Sequence, residues 1–127
     1  MAVVVGYLPS REGRAALAHG VDAAIRRQVR LVVVSSKAGT AEEVEADLAS
    51  FTKQLQEHDL SYEVRHLPHS SDPADDLLGV AEEVDADVIV IGLRRRSPVG
   101  KLILGSNAQR ILLDATCPVL AVKGDGS

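Results

Sequence analysis

Cysteine is almost missing from this chain of 127 residues: Cys117 stands alone. That excludes an internal disulfide and a cysteine-rich metal centre. Aromatic residues are nearly as scarce, limited to Tyr7, Phe51 and Tyr62, with no tryptophan. Base-stacking platforms and flavin pockets both use aromatic faces, so both classes lose ground and the core has to be aliphatic. The net charge is −4, and a mildly acidic chain lacks the basic footprint of a duplex nucleic-acid binder. No apolar run approaches the roughly 18 residues that a membrane-spanning helix requires. Met1 leads straight into Ala2-Val3-Val4-Val5 with no basic segment ahead of it. The expectation is a cytoplasmic protein with no export signal, no membrane contact and no nucleic-acid partner.

What the chain does have is 46% apolar and 25% charged residues, the composition of one folded domain. Val3–Val5, Leu31–Val34, Val88–Ile91 and Val119–Val122 are short continuous apolar runs rich in β-branched residues. Such runs suit strands buried on both faces, as in a parallel sheet. Tyr62-Glu63-Val64-Arg65-His66-Leu67 alternates instead, which suits a half-exposed edge strand. Helical spacing joins Leu17, Val21, Ala24 and Ile25, then Val44, Leu48, Phe51 and Leu55. Leu77, Ala81 and Val84 mark a third helix, and Ala108, Ile111, Leu112 and Ala115 a fourth. Thr40 with Glu43 and Ser106 with Gln109 have capping-box spacing, Ser10 suits the first helix, and Asp72-Pro73 reads as a cap followed by proline at the first helical position. The order βαβαβαβαβ predicts one doubly wound α/β domain, a five-stranded, mostly parallel, Rossmann-like sheet with helices on both faces. It spans residues 1–123 and leaves 124–127 as a frayed tail.

Open sheets of this class bind ligands beyond the carboxyl ends of their strands, where the strand order reverses. The one long connection there runs from Gly92 to Ser106 and carries Arg94, Arg95, Arg96 and Lys101. Two readings of it stand side by side. Gly105-Ser106 opening a helix, with cations nearby, suits a phosphate-bearing ligand. Equally, Gly105 turns the chain, Ser106 caps the helix, and the arginines are solvated. Gly100-Lys101 lies too far from Gly92 for a P-loop, and Leu102 stands where Ser or Thr would meet magnesium. No Gly-x-Ser-x-Gly or His-Glu-x-x-His occurs. His19, His58, His66 and His69 are scattered, so no metal site and no catalytic residue is assigned. Asp72 reads as a cap, Asp75 and Asp76 as carboxylates favoured in a first helical turn, and Cys117 as a packing residue.

Three segments carry a resemblance: Asp72-Pro73-Ala74-Asp75, Ala86–Gly92, and Gly105-Ser106 through Cys117-Pro118-Val119-Leu120-Ala121-Val122. In this order the chain resembles the universal stress protein family over essentially its whole length. The nucleotide-binding branch carries Gly, two residues, Gly, nine residues, Gly, then Ser or Thr. Gly92 and Gly105-Ser106 fit that spacing, with Arg95 at the second glycine. The resemblance implies that Gly92, Gly105, Ser106 and Asn107 cradle phosphates and ribose, with Arg94 or Arg95 supplying charge. It puts Tyr7 and Leu8 in the same site, Leu8 where ATP-binding relatives carry an acid. Ser36 falls where the family sets an apolar residue against the base. The implied function is a stress-response ATP-binding sensor or regulator, with or without Mg2+, that hydrolyses slowly at most. The implied partners are a second copy, paired through Val119, Leu120, Ala121 and Val122, and a regulatory protein. The alternative is a dimeric protein–protein interaction domain of that family which binds no nucleotide. A receiver domain would need acids after the first strand and an acceptor aspartate after the third. A flavodoxin would need a hydroxyl-rich first loop and more aromatics.

Overall fold

The computed structural model describes residues 1–35, 41–67, 72–93 and 105–124, with Ala41 described in its backbone alone. Among the described residues five strands alternate with four helices: β1 (Ala2–Tyr7), α1 (Arg11–Arg27), β2 (Arg30–Ser35), α2 (Ala41–Glu57), β3 (Tyr62–His66), α3 (Pro73–Glu83), β4 (Ala86–Leu93), α4 (Ser106–Asp114) and β5 (Val119–Lys123). They form one sheet in the order β3-β2-β1-β4-β5, and every pairing is parallel.

The unbroken apolar runs behave as strand sequences buried on both sides. Side chains alternate across the pleat, so Val3, Val5 and Tyr7 of β1 face one way with Leu31, Val33, Val88 and Val90. Against them pack Ala16, Leu17, Val21 and Ala24 of α1 and Val44, Leu48 and Leu55 of α2. Ala2, Val4, Val32, Val34, Ile89 and Ile91 face the other way, beneath Leu77, Val80 and Ala81 of α3 and Ile111 of α4. The sheet is thus the middle layer of three.

Local signals start the helices. Ser10 Oγ accepts the Gly13 amide at 3.1 Å and caps α1. Asp72 Oδ1 accepts the amides of Ala74 and Asp75 at 2.9 and 3.2 Å and caps α3, with Pro73 directly after it. The fourth helix corrects two expectations. Its N-cap is Gly105, without any side-chain cap, and Ser106 is the first helical residue. Leu112 is 39% exposed and Leu113 82%. In a helix of nine residues the spacing Ala108, Ile111, Ala115 already fills the inward face, and Leu112 lies about 100° further round. Thr40, expected as the cap of α2, lies outside the described residues, as do residues 125–127 of the expected tail.

The two sheet edges differ in chemistry. On β3, Glu63 accepts from Arg30 Nη1 and Arg65 Nε, each at 2.9 Å, and Arg65 Nη1 reaches Glu83 at 2.6 Å. The hydrogen bond from Arg65, above all, holds the Glu63 carboxyl below the usual range. On β5, Leu120 is 42% exposed among apolar neighbours.

Candidate functional site

β1 sits at the centre of the order, and the chain leaves it through α1 to β2 on one side, whereas β4 lies on its other side. The connections leaving β1 and β4 therefore diverge at their carboxyl ends, which opens a crevice. A cleft of about 480 Å³ occupies that place.

Its walls come from both helical layers. Leu8, Val34, Leu67, Leu77 and Ile91 give it an apolar side. Ser10 and Glu12 from the start of α1, and Gly105, Ser106 and Asn107 from the start of α4, give it a polar one. Tyr7, Leu8, Gly92, Gly105, Ser106 and Asn107, expected together from the sequence, all line this one cleft. Ser36, Arg94 and Arg95 lie outside the described residues, and so do Arg96 and Lys101.

Each of the six has a local reason for its position. Tyr7 is buried among the side chains under α1 and α2, and its hydroxyl donates to a carboxylate oxygen of Asp47 on α2. Burial above all, and then that hydrogen bond, push its ionisation well above the ordinary phenol value. Tyr7 thus anchors the end of β1 while one side of it meets the cleft. Leu8 is 37% exposed at the rim, and its carbonyl accepts the Ser10 amide at 2.8 Å.

The glycines divide into two kinds. A Cβ on Gly92 would lie 2.4 Å from the carbonyl oxygen of Glu12, so the first turn of α1 demands a glycine there. A Cβ on Gly105 would meet no atom of the described residues within 4 Å. With φ −70° and ψ 166°, Gly105 also adopts a backbone that any residue allows. Packing among the described residues gives no reason for glycine at 105, which lines the cleft. Beside it, the amides that begin α4 have no side-chain cap among the described residues, unlike those of α1 and α3. Uncapped amides at a helix N-terminus carry partial positive charge and suit an anion.

Three features escaped the sequence reading. Asp47 as the partner of Tyr7 is one, and nothing local signals a pair forty residues apart. Glu12 in the cleft is another; an acid in a first helical turn gives no hint of what it faces. The third is Arg110, whose Nη1 donates to Asp72 Oδ2 at 3.1 Å and whose Nη2 donates to Asp75. Its Nε lies 3.6 Å from Asp114. This clasp ties α4 to the capped start of α3, so two walls of the cleft are fixed to each other. Asp76 keeps one carboxylate oxygen buried without a partner among the described residues.

Cys117 lies away from the cleft, half-buried, and burial pushes its thiol up, which suits packing rather than reactivity. Among the described residues no three His, Cys, Asp or Glu side chains are grouped to hold a metal. No described helix is long and apolar enough to cross a membrane.

Comparison with known proteins adds four findings. Residues 1–123 match the model of the universal stress protein family. A universal stress protein of Mycolicibacterium smegmatis is 43% identical over 130 aligned positions, covering 98% of each chain. The universal stress protein structure from Archaeoglobus fulgidus superimposes with a TM-score of 0.75 at 34% identity, covering 97% of this chain and 98% of that one. A structure of the Archaeoglobus fulgidus protein in complex with dAMP superimposes with a TM-score of 0.70 at 27% identity and the same coverage.

Proposed function

The chain belongs to the universal stress protein family, and from that premise we propose that it binds an adenine nucleotide in the cleft between β1 and β4. The phosphate is held by the amides that open α4, with the Ser106 hydroxyl and the Asn107 side chain beside it. The base lies toward Leu8, Val34, Leu67 and Leu77, where apolar surface leaves water on binding. ATP is the first nucleotide to try, and the protein acts as a sensor or regulator in a stress response rather than as a fast enzyme.

The observation that supports this best is Gly105. Among the described residues neither backbone conformation nor packing requires this glycine, and the helical amides beside it have no side-chain cap, in a cleft of nucleotide size. The relative solved with dAMP adds weight from the family side. Because a Cβ at 105 meets no atom of the described residues, Gly105→Val is expected to fold normally while filling the room a phosphate needs. Isothermal titration with ATP and AMP on the wild type and this variant is the test. Unchanged affinity in folded Gly105→Val removes the site assignment.

A second reading concerns association and is independent of the ligand. The edge of β3 is occupied by ion-paired charges, whereas β5 offers unpaired backbone and an exposed Leu120. An apolar edge of this kind invites strand pairing, so we propose a homodimer through Val119, Leu120, Ala121 and Val122. Sedimentation of the wild type and Leu120→Lys tests it. A wild type that sediments as a monomer at all concentrations would rule the pairing out.

A further inference from the structure

Glu12 is the one charged side chain among the described residues that line the cleft. Its position is tightly set. Gly92 leaves no room between its own Cα and the Glu12 carbonyl, so the backbone of Glu12 is pinned over the end of β4. A Cβ on Gly124 would lie 3.0 Å from the Glu12 Cγ and 3.4 Å from Cδ and Oε1. The side chain therefore extends across the ends of β4 and β5 against bare backbone. It has no ion-pair or hydrogen-bond partner among the described residues.

From this geometry we infer that Glu12 makes the cleft discriminate between nucleotides by their charge, disfavouring free polyphosphates relative to singly or doubly charged monophosphates. The inference rests on the nucleotide reading above and narrows it. A fixed negative charge in a cleft raises the free energy of every anionic ligand, and the penalty grows in proportion to the ligand's charge. AMP, ADP and ATP share base and ribose, and cyclic AMP differs from them in the sugar only by its esterified 3′ oxygen, so charge is the main variable across the series. Cations contributed by other residues shift all affinities, but the increment due to Glu12 is isolated by changing Glu12 alone.

The experiment is titration of wild type and Glu12→Gln with 3′,5′-cyclic AMP, AMP, ADP and ATP at low ionic strength in EDTA. Their charges run from about −1 to about −4, and removal of the carboxylate at ~8 Å in water-like screening should tighten binding by roughly twofold per unit of ligand charge. Cyclic AMP then gains roughly twofold and ATP more than tenfold. Added salt should flatten the trend. Glu12→Lys, with matched thermal stability as the control for folding, should make it steeper. An equal change for all four ligands overturns the inference; equal loss would mean that Glu12 accepts a sugar hydroxyl. Loss of ATP affinity only when Mg2+ is restored also overturns it, since Glu12 would then be a metal ligand. If the wild type binds none of the four, the nucleotide reading itself fails and this inference with it.

Discussion

Replacing Gly92 with alanine adds one methyl group at the most crowded point beside the cleft. The new carbon would lie 2.4 Å from the Glu12 carbonyl oxygen, 2.7 Å from its carbon and 2.9 Å from its Cβ. Ordinary contact begins at 3.4 Å, so the start of α1 has to withdraw by about 1 Å. No rotamer change relieves this, because the obstructing atoms are mostly backbone. Further along, α1 buries Ala16, Leu17, Val21 and Ala24 against the sheet, so a rigid shift loosens that contact as well. Overpacking of this kind costs about 1–3 kcal/mol, and the backbone origin of the clash points to the upper half. In a domain of this size that lowers Tm by roughly 8–12 °C. Gly105→Ala is the internal control. Its methyl meets no atom of the described residues within 4 Å; it gains about 0.4–1 kcal/mol from a less flexible unfolded chain and loses a similar amount because alanine is a poor N-cap. Its Tm should stay near the wild-type value. Thermal and urea unfolding followed by circular dichroism decide the matter. Equal melting of Gly92→Ala and wild type would refute the account of why 92 is a glycine, and would leave a ligand as its only reason.

Tyr7→Phe should cost about 1–2 kcal/mol at neutral pH, since Asp47 loses a buried donor. The raised ionisation of Tyr7 means that the folded state holds the phenolic proton more tightly than the unfolded state. Its stabilisation is complete below the unfolded value of 10.0 and is lost as pH rises above it. Melts between neutral pH and strongly alkaline pH should therefore fall more steeply in the wild type than in Tyr7→Phe; parallel curves would exclude Tyr7 as the cause. Asp72→Asn keeps a good cap but breaks the ion pair with Arg110, for about 0.5–1 kcal/mol. Asp72→Ala loses both, for about 1–2 kcal/mol. Salt should shrink the first difference and leave the cap's share, which a denaturation series at low and high ionic strength will show.

How much of this could be read from sequence follows the range of the interactions. The runs at Val3, Leu31 and Val88 announced strands buried on both faces because burial on two sides removes the need for alternation. Ser10 and Asp72-Pro73 were legible because a cap acts within three residues. Ser106 shows the limit of such local patterns. Ser-x-x-Gln reads the same whether the serine caps the helix or begins it, and helix ends carry that one-residue slack. That Gly92 and Gly105-Ser106 bound one connection beyond the strands' carboxyl ends was legible from the element order, whereas their joint nucleotide-binding role came only through family resemblance. Tyr7 with Asp47, and Arg110 with Asp72 and Asp75, are meetings of polar residues across 35 to 40 positions, and polar positions on a helix look alike until the fold says what they face. Glu12 was passed over for the same reason.

The pairing of β1 with β4 has a consequence for how the molecule comes into being. Val3 lies beside Val88 and Val5 beside Val90, so the earliest strand to be synthesised waits for one made more than eighty residues later. Until then β1 can pair only with β2, and its other side is an open, strongly apolar template. Parallel pairing across such a separation is slow to form and exposed to wrong partners while it waits. The first three strands and their two helices have to hold together as half a sheet during translation, and the cleft lacks the wall that Ile91, Gly92 and Leu93 supply until β4 arrives. A substitution that weakens the half-sheet would therefore show up first as poor yield from the cell, before any change in the purified protein's affinity.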